Sequence, residues 1–109
     1  MASATLFISR AEDQPGRYLV VVNGEGFHNS VGAEVAARIR GDDPVFDDSL
    51  FGIGVGIPNH VLPDGSFSLS TVVPGSQLNE DWGQDEIYAL VDVEGFGRSV
   101  RSNTVKGHF

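Results

Sequence analysis

The chain has 109 residues, 40% of them apolar and 20% charged, with fifteen acidic against seven basic side chains and a formal charge of −8. That is one ordinary domain, too apolar to be disordered and too acidic to grip a nucleic-acid backbone or an anionic membrane surface. No apolar run approaches the ~18 residues of a membrane-spanning helix, and the absence of cysteine excludes disulfides, thiolate metal sites and cysteine nucleophiles.

At the N-terminus, MASATLFISR places no basic residue ahead of its short apolar stretch Leu6–Ile8. It does not read as a secretory signal. The expected compartment is cytoplasmic by default, or secreted or surface-exposed if a leader has been removed. Six arginines and a single lysine, Lys106, point to codon bias ahead of salt adaptation.

Glycine and proline punctuate the chain between short apolar runs, the pattern of many short strands. Residues 17–27 (RYLVVVNGEGF) are rich in β-branched side chains. Tyr18, Val20 and Val22 share one face, Leu19 and Val21 the other, which predicts a central strand covered on both faces. Residues 33–40 (AEVAARIR) fit a strand with Ala33, Val35, Ala37 and Ile39 inward, and also a two-turn helix with a Val31, Val35, Ile39 stripe. Isolated helices that short are marginal, which favours the strand.

Residues 51–57 (FGIGVGI) alternate large apolar residues with glycine, leaving one face bare; as an edge strand the segment would be sticky. Pro63-Asp64-Gly65 reads as a turn. The strand after it runs from Ser66 to Val73, with Phe67, Leu69 and Thr71 opposed to Ser66, Ser68 and Ser70. Residues 76–86 read as a polar loop. Residues 87–93 (IYALVDV) place Ile87, Ala89, Val91 and Val93 on one face and Tyr88, Leu90 and Asp92 on the other. Glu94–Gly97 reads as a hairpin turn, and 98–109 as a last strand with Val105 and Phe109 on one face. About seven strands with turns every 8–12 residues predict an all-β, antiparallel, immunoglobulin-like β-sandwich in one domain.

Four short motifs carry a family resemblance. Val20-x-Val22-x-Gly24-x-Gly26-Phe27, Asp64-Gly65-Ser66-Phe67-Ser68-Leu69, the run 87–93 followed by Glu94-Gly95, and Ser102-Asn103-Thr104-Val105 occur in this order. Together they resemble bacterial immunoglobulin-like domains of the E-set group, such as IPT/TIG and neocarzinostatin-like sandwiches. The resemblance implies that fold and a role as a binding or spacer module. The paired cysteines of neocarzinostatin-like members are missing, and Tyr88 falls on the Asp92 face, away from a tyrosine-corner position. Chromophore binding is therefore not carried over.

Two acidic stretches are the most conspicuous chemistry. Residues 41–49 (GDDPVFDDS) hold Asp42, Asp43, Asp47 and Asp48; residues 79–86 (NEDWGQDE) hold Glu80, Asp81, Asp85 and Glu86. The plain reading is solvated loops that keep the chain soluble. If both lie at one end of the sandwich, Asp42, Asp43, Asp47, Asp48, Asp81 and Asp85 become candidate calcium ligands, since calcium takes ~6–8 oxygens from irregular loops. No EF-hand or glycine-aspartate repeat is present. Trp82 and Phe46, inside these stretches, are candidate contacts for a glycan or protein partner or plugs of the core.

His28, His60 and His108 show no zinc spacing. No G-x-S-x-G elbow occurs, and neither glycine series is a phosphate loop. The expectation is a non-enzymatic module with no required cofactor, binding a protein partner through loops or a sheet edge, as a monomer or weak homodimer. The alternative is a calcium- or carbohydrate-binding module; a small hydrolase built on paired acids is a remote third.

Overall fold

The computed structural model describes residues 2–42, 48–54, 59–78 and 85–109, with the side chains of Asp48 and Asp85 outside that description. Eight strands are described: β1 (Ser3–Arg10), β2 (Arg17–Glu25), β3 (Val35–Gly41), β4 (Asp48–Ile53), β5 (Phe67–Pro74), β6 (Asp85–Val93), β7 (Val100–Arg101) and β8 (Val105–Gly107). They form two antiparallel sheets. One is three-stranded, β1-β2-β5; the other is five-stranded, β4-β3-β6-β7, with β8 also on β6. β1 lies over β6 and β7, and β5 over β3 and β4. The fold class is that of an all-β sandwich, and only two 3-10 turns interrupt the extended chain among the described residues.

The core is what a period of two dictates. Val20, Val22, Leu6, Phe67 and Leu69 face inward from the small sheet. Val35, Ala37, Ile39, Ile87, Ala89 and Val91 face them from the large one. The segment expected as a strand over 33–40 forms one over Val35–Gly41, because Val35, Ala37 and Ile39 are apolar and enter this layer; Ala33 and Glu34 precede it. Gly24 must be glycine for packing reasons: a Cβ there would fall 2.0 Å from the Phe67 ring. The turn into β5 forms as its sequence demands. Gly65 N–H donates to Leu62 C=O at 2.8 Å, and Gly65 adopts φ +81.

Several boundaries differ from expectation. β1 was not legible as a strand because Phe7 faces outward between Leu6 and Ile8 and masks their alternation. Residues 51–57 contribute only Phe51–Ile53 to β4. The strand starts earlier, at Asp48, carries a bulge opposite Ile39/Arg40, and ends at Ile53, before Gly54, whose φ of +80 leaves extended geometry. Residues 55–58 lie outside the described set. The polar reading of 76–86 missed Leu78, which is fully buried. The last strand divides into β7 and β8, because Ser102 turns inward and bonds to β6 in place of a ladder. β2 is central, but only one of its faces is covered: Leu19 is 36% exposed and its neighbour Phe7 53%.

Candidate functional site

Strand register brings the flanks of the two acidic stretches together. Gly41, the last residue of β3, is opposite Asp48 of β4 on one side and Ile87 of β6 on the other. Asp42 N–H donates to Glu86 C=O at 2.8 Å. The bracketing residues of both stretches therefore sit at one end of the large sheet, as a shared acidic site requires. Asp48 and Asp85 begin strands and do not lie in loops. Asp43, Phe46, Asp47, Asp81 and Trp82 lie outside the described residues.

Charge at this end is already partly balanced. Arg101 Nη2 stands 3.2 Å from Asp42 Oδ2, and the Arg101 guanidinium lies 3.7 Å above the centre of the Tyr88 ring. Tyr88 is only 2% exposed beneath it. Lys106 Nζ stands 3.6 Å from Glu86 Oε1. Asp42 thus pairs with an arginine, as does Asp92 further along the same face. Arg38 Nε donates to Asp92 Oδ2 at 3.1 Å and its Nη2 to Ser99 Oγ at 3.3 Å, while Ser99 Oγ donates to Asp92 Oδ1. These pairs are half-exposed, so each adds little stability. Their effect is to cover the outward face of the large sheet with fixed charge. Among the described residues, no three of histidine, cysteine, aspartate and glutamate are placed to share a metal ion.

At the opposite end, a cleft of about 350 Å³ is lined by Glu25, Gly26, His28, Asp64 and Ser66. It holds a serine, a histidine and carboxylates, but their bonds belong to a turn. Ser66 Oγ donates to Asp64 Oδ1 at 2.6 Å and Ser66 N–H to the same oxygen at 3.0 Å. The hydroxyl's acceptor is the turn's own carboxylate, two residues away in the chain. These two bonds, the hydroxyl's first, hold the Asp64 carboxyl below its ordinary 3.8, with His28 adding a small pull in the same direction. His28 and His60 are exposed in connecting segments and His108 near the C-terminus.

The edges of the sheets differ. On β1, Leu6 N–H donates to Asn103 Oδ1 at 2.7 Å and Asn103 Nδ2 donates to Leu6 C=O at 3.2 Å, so an amide side chain occupies the edge as a strand would. β7 and β8 are two and three residues long and carry Arg101 and Lys106. β4 is bulged. β5 is the exception: eight residues, FSLSTVVP, with no charge, no bulge and only a terminal proline. Among the described residues, no backbone bond reaches Phe67–Val73 from its free side. The sequence marked FGIGVGI as an edge strand, and its described part, Phe51–Ile53, does lie in β4 at the edge of the large sheet. It missed the second edge, β5, whose serines read as solvent-facing, because edge position comes from pairing order. No protein-family model, curated protein or solved structure matches the chain.

No helix among the described residues is long and apolar enough to cross a membrane.

Proposed function

We propose that the chain is a non-enzymatic, immunoglobulin-like interaction module that receives an extended segment of a protein partner along the free edge of β5. The strand order supports the immunoglobulin-like reading. The first, second and fifth strands form one sheet and the third, sixth and last the other, the partition of A, B and E against C, F and G; the fourth strand joins the third. The observation that carries the binding mode is the β5 edge, long, regular and uncharged, where the other edges are capped, short, charged or bulged. Strand addition draws affinity from main-chain hydrogen bonds and specificity from alternate side chains.

Selection of binders from a displayed peptide library tests this. Binders are expected to slow amide exchange in β5 and to lose affinity at least tenfold with Ser70→Lys, which places a lysine on the edge strand. Binders that protect only the loops or the large sheet overturn the reading. So does turnover of an ester, glycoside or phosphate substrate that one substitution abolishes.

A second reading, a calcium- or glycan-binding module with Trp82 as platform, rests on the register that sets the two acidic flanks side by side. Calcium binding to the native state must raise the melting temperature. A rise accompanied by a change in Trp82 fluorescence supports that reading, and a flat response at millimolar calcium removes the calcium version.

A further inference from the structure

The outward faces of the two sheets are opposites. The large sheet presents Arg38, Asp92, Arg101 and Lys106 in the ion pairs described above. The small sheet presents, in register, Thr5-Asn23-Ser68, then Phe7-Val21-Ser70, then Ser9-Leu19-Val72. Nine positions of a chain carrying −8 hold no charge, and their centre is apolar. Charges return only at the ends of β2, where Arg17 and Glu25 stand four residues to either side of Val21. Neither belongs to any of the ion pairs among the described residues.

This pattern is self-complementary. From it we propose that two copies of the chain dock face to face through the small sheets, about a twofold axis that passes over Val21 and lies across the strands. That axis places Arg17 of one copy over Glu25 of the other, and Glu25 over Arg17, in an isologous contact. The offset from the axis is ~13 Å at ~3.3 Å per residue. The ~30° crossing of aligned sheets moves the ends apart by about half that distance, within reach of an arginine side chain. The alternative axis, along the strands, would stack Arg17 on Arg17 and Glu25 on Glu25.

The acidic end selects the same orientation. The connection after β1, with Glu12 and Asp13, lies at the Arg17 end of the small sheet, and the Tyr18–Phe109 ring contact sets that end beside β8 and the Asp85–Glu86 flank. Crossed copies hold these ends apart, whereas copies side by side would superimpose them. The contact is small. Three strands at ~4.8 Å spacing and nine residues in length give ~400 Å² per copy, against ~800 Å² in a standard stable interface. The dimer is therefore weak and concentration-dependent. It uses the outward face of β5, with Ser68, Ser70 and Val72, and not the strand's free backbone edge, and it does not rest on that reading.

Sedimentation of the full chain from micromolar to millimolar concentration tests it, with melting curves confirming that each variant is folded. The mean mass is expected to climb toward that of a dimer. Phe7→Asp should weaken association at least tenfold. R17E and E25R should each weaken it alone. The double variant R17E/E25R, and an equimolar mixture of the two single variants, should recover it, because each restores both cross-copy pairs. A mass that stays monomeric at millimolar concentration overturns the proposal. Association that survives Phe7→Asp, or that neither charge-swapped combination recovers, overturns it too.

Discussion

Along one side of the sandwich, beside β1 and β6, Ser102 and Asn103 stitch the sheets together; along the other, where β4 and β5 end their sheets, no hydrogen bond among the described residues joins those two strands, and the links lie beyond their ends, where 59–61 bond to 32–35. The stitch is made of two side chains acting as backbone. Ser102 Oγ accepts from Ala89 N–H at 2.8 Å and donates to Asn103 C=O at 2.8 Å. Ser102 N–H donates to Ala89 C=O at 2.9 Å, and Asn103 then takes both polar groups of Leu6. One side of the fold has a side chain seated on its edge at Leu6, and the other keeps β5 available. A partner strand has a template only where nothing in the chain has already taken that place.

Breaking the stitch is the severest test of that contrast. Ser102→Ala leaves the buried Ala89 N–H without its acceptor, at a cost of ~2 kcal/mol. Denaturant unfolding should show it, with exposed Ser99→Ala as a control near zero. Asn103→Ala should cost ~1 kcal/mol, because the bond is only part-buried, Asn103 is exposed and water can replace the amide in part. Its sharper signature is in amide exchange. Leu6 should lose its protection and come to exchange as the free edge of β5 does. If Leu6 stays protected in Asn103→Ala, the amide is not what seals β1. Arg101→Ala is smaller again, ~0.5–1 kcal/mol, mostly from uncovering the Tyr88 ring, and should raise the accessibility of Tyr88 to a quencher.

Sequence carried the inward half of this molecule. Val20, Val22, Val35, Ala37, Ile39, Ile87, Ala89 and Val91 all take the positions their alternation assigns, because a period of two and a shared core leave one solution. Where that signal was diluted it failed. Phe7 disguised β1, and Leu78, alone among polar residues, gave no periodicity. The candidate site was legible as composition and not as arrangement. The acidic stretches are visible in the chain, but their meeting depends on the pairing of Gly41 with both Asp48 and Ile87. The cations that balance them, Arg101 for Asp42 and Lys106 for Glu86, arrive from distant segments. Ser102 and Asn103 read as part of one continuous last strand, since a side chain standing in for a strand has no pattern to reveal it.

The smallest effect concerns the turn that launches β5, one of the fastenings at that end of the open side, beside the backbone bonds that join 59–61 to 32–35. Asp64 accepts both the hydroxyl and the amide of Ser66, and its carboxyl is held below 3.8 in the folded state. A depressed carboxylate favours the native state above its unfolded pKa and stops doing so as pH falls through the folded value. The contribution is therefore present at neutral pH and disappears in acid. Asp64 is fully exposed, so the change is slight, and it is best read site by site. The Asp64 carboxyl carbon should titrate with a midpoint below 3.8 in wild type and move toward that value in Ser66→Ala, which removes the stronger of the two bonds. Amide exchange at the start of β5 should quicken over the same interval while Leu6, on the stitched side, stays protected. A midpoint at or above 3.8 in wild type would mean that Ser66 does not hold the carboxylate, and that the entrance to β5 is fixed by the backbone bonds of Leu62, Gly65 and Ser66.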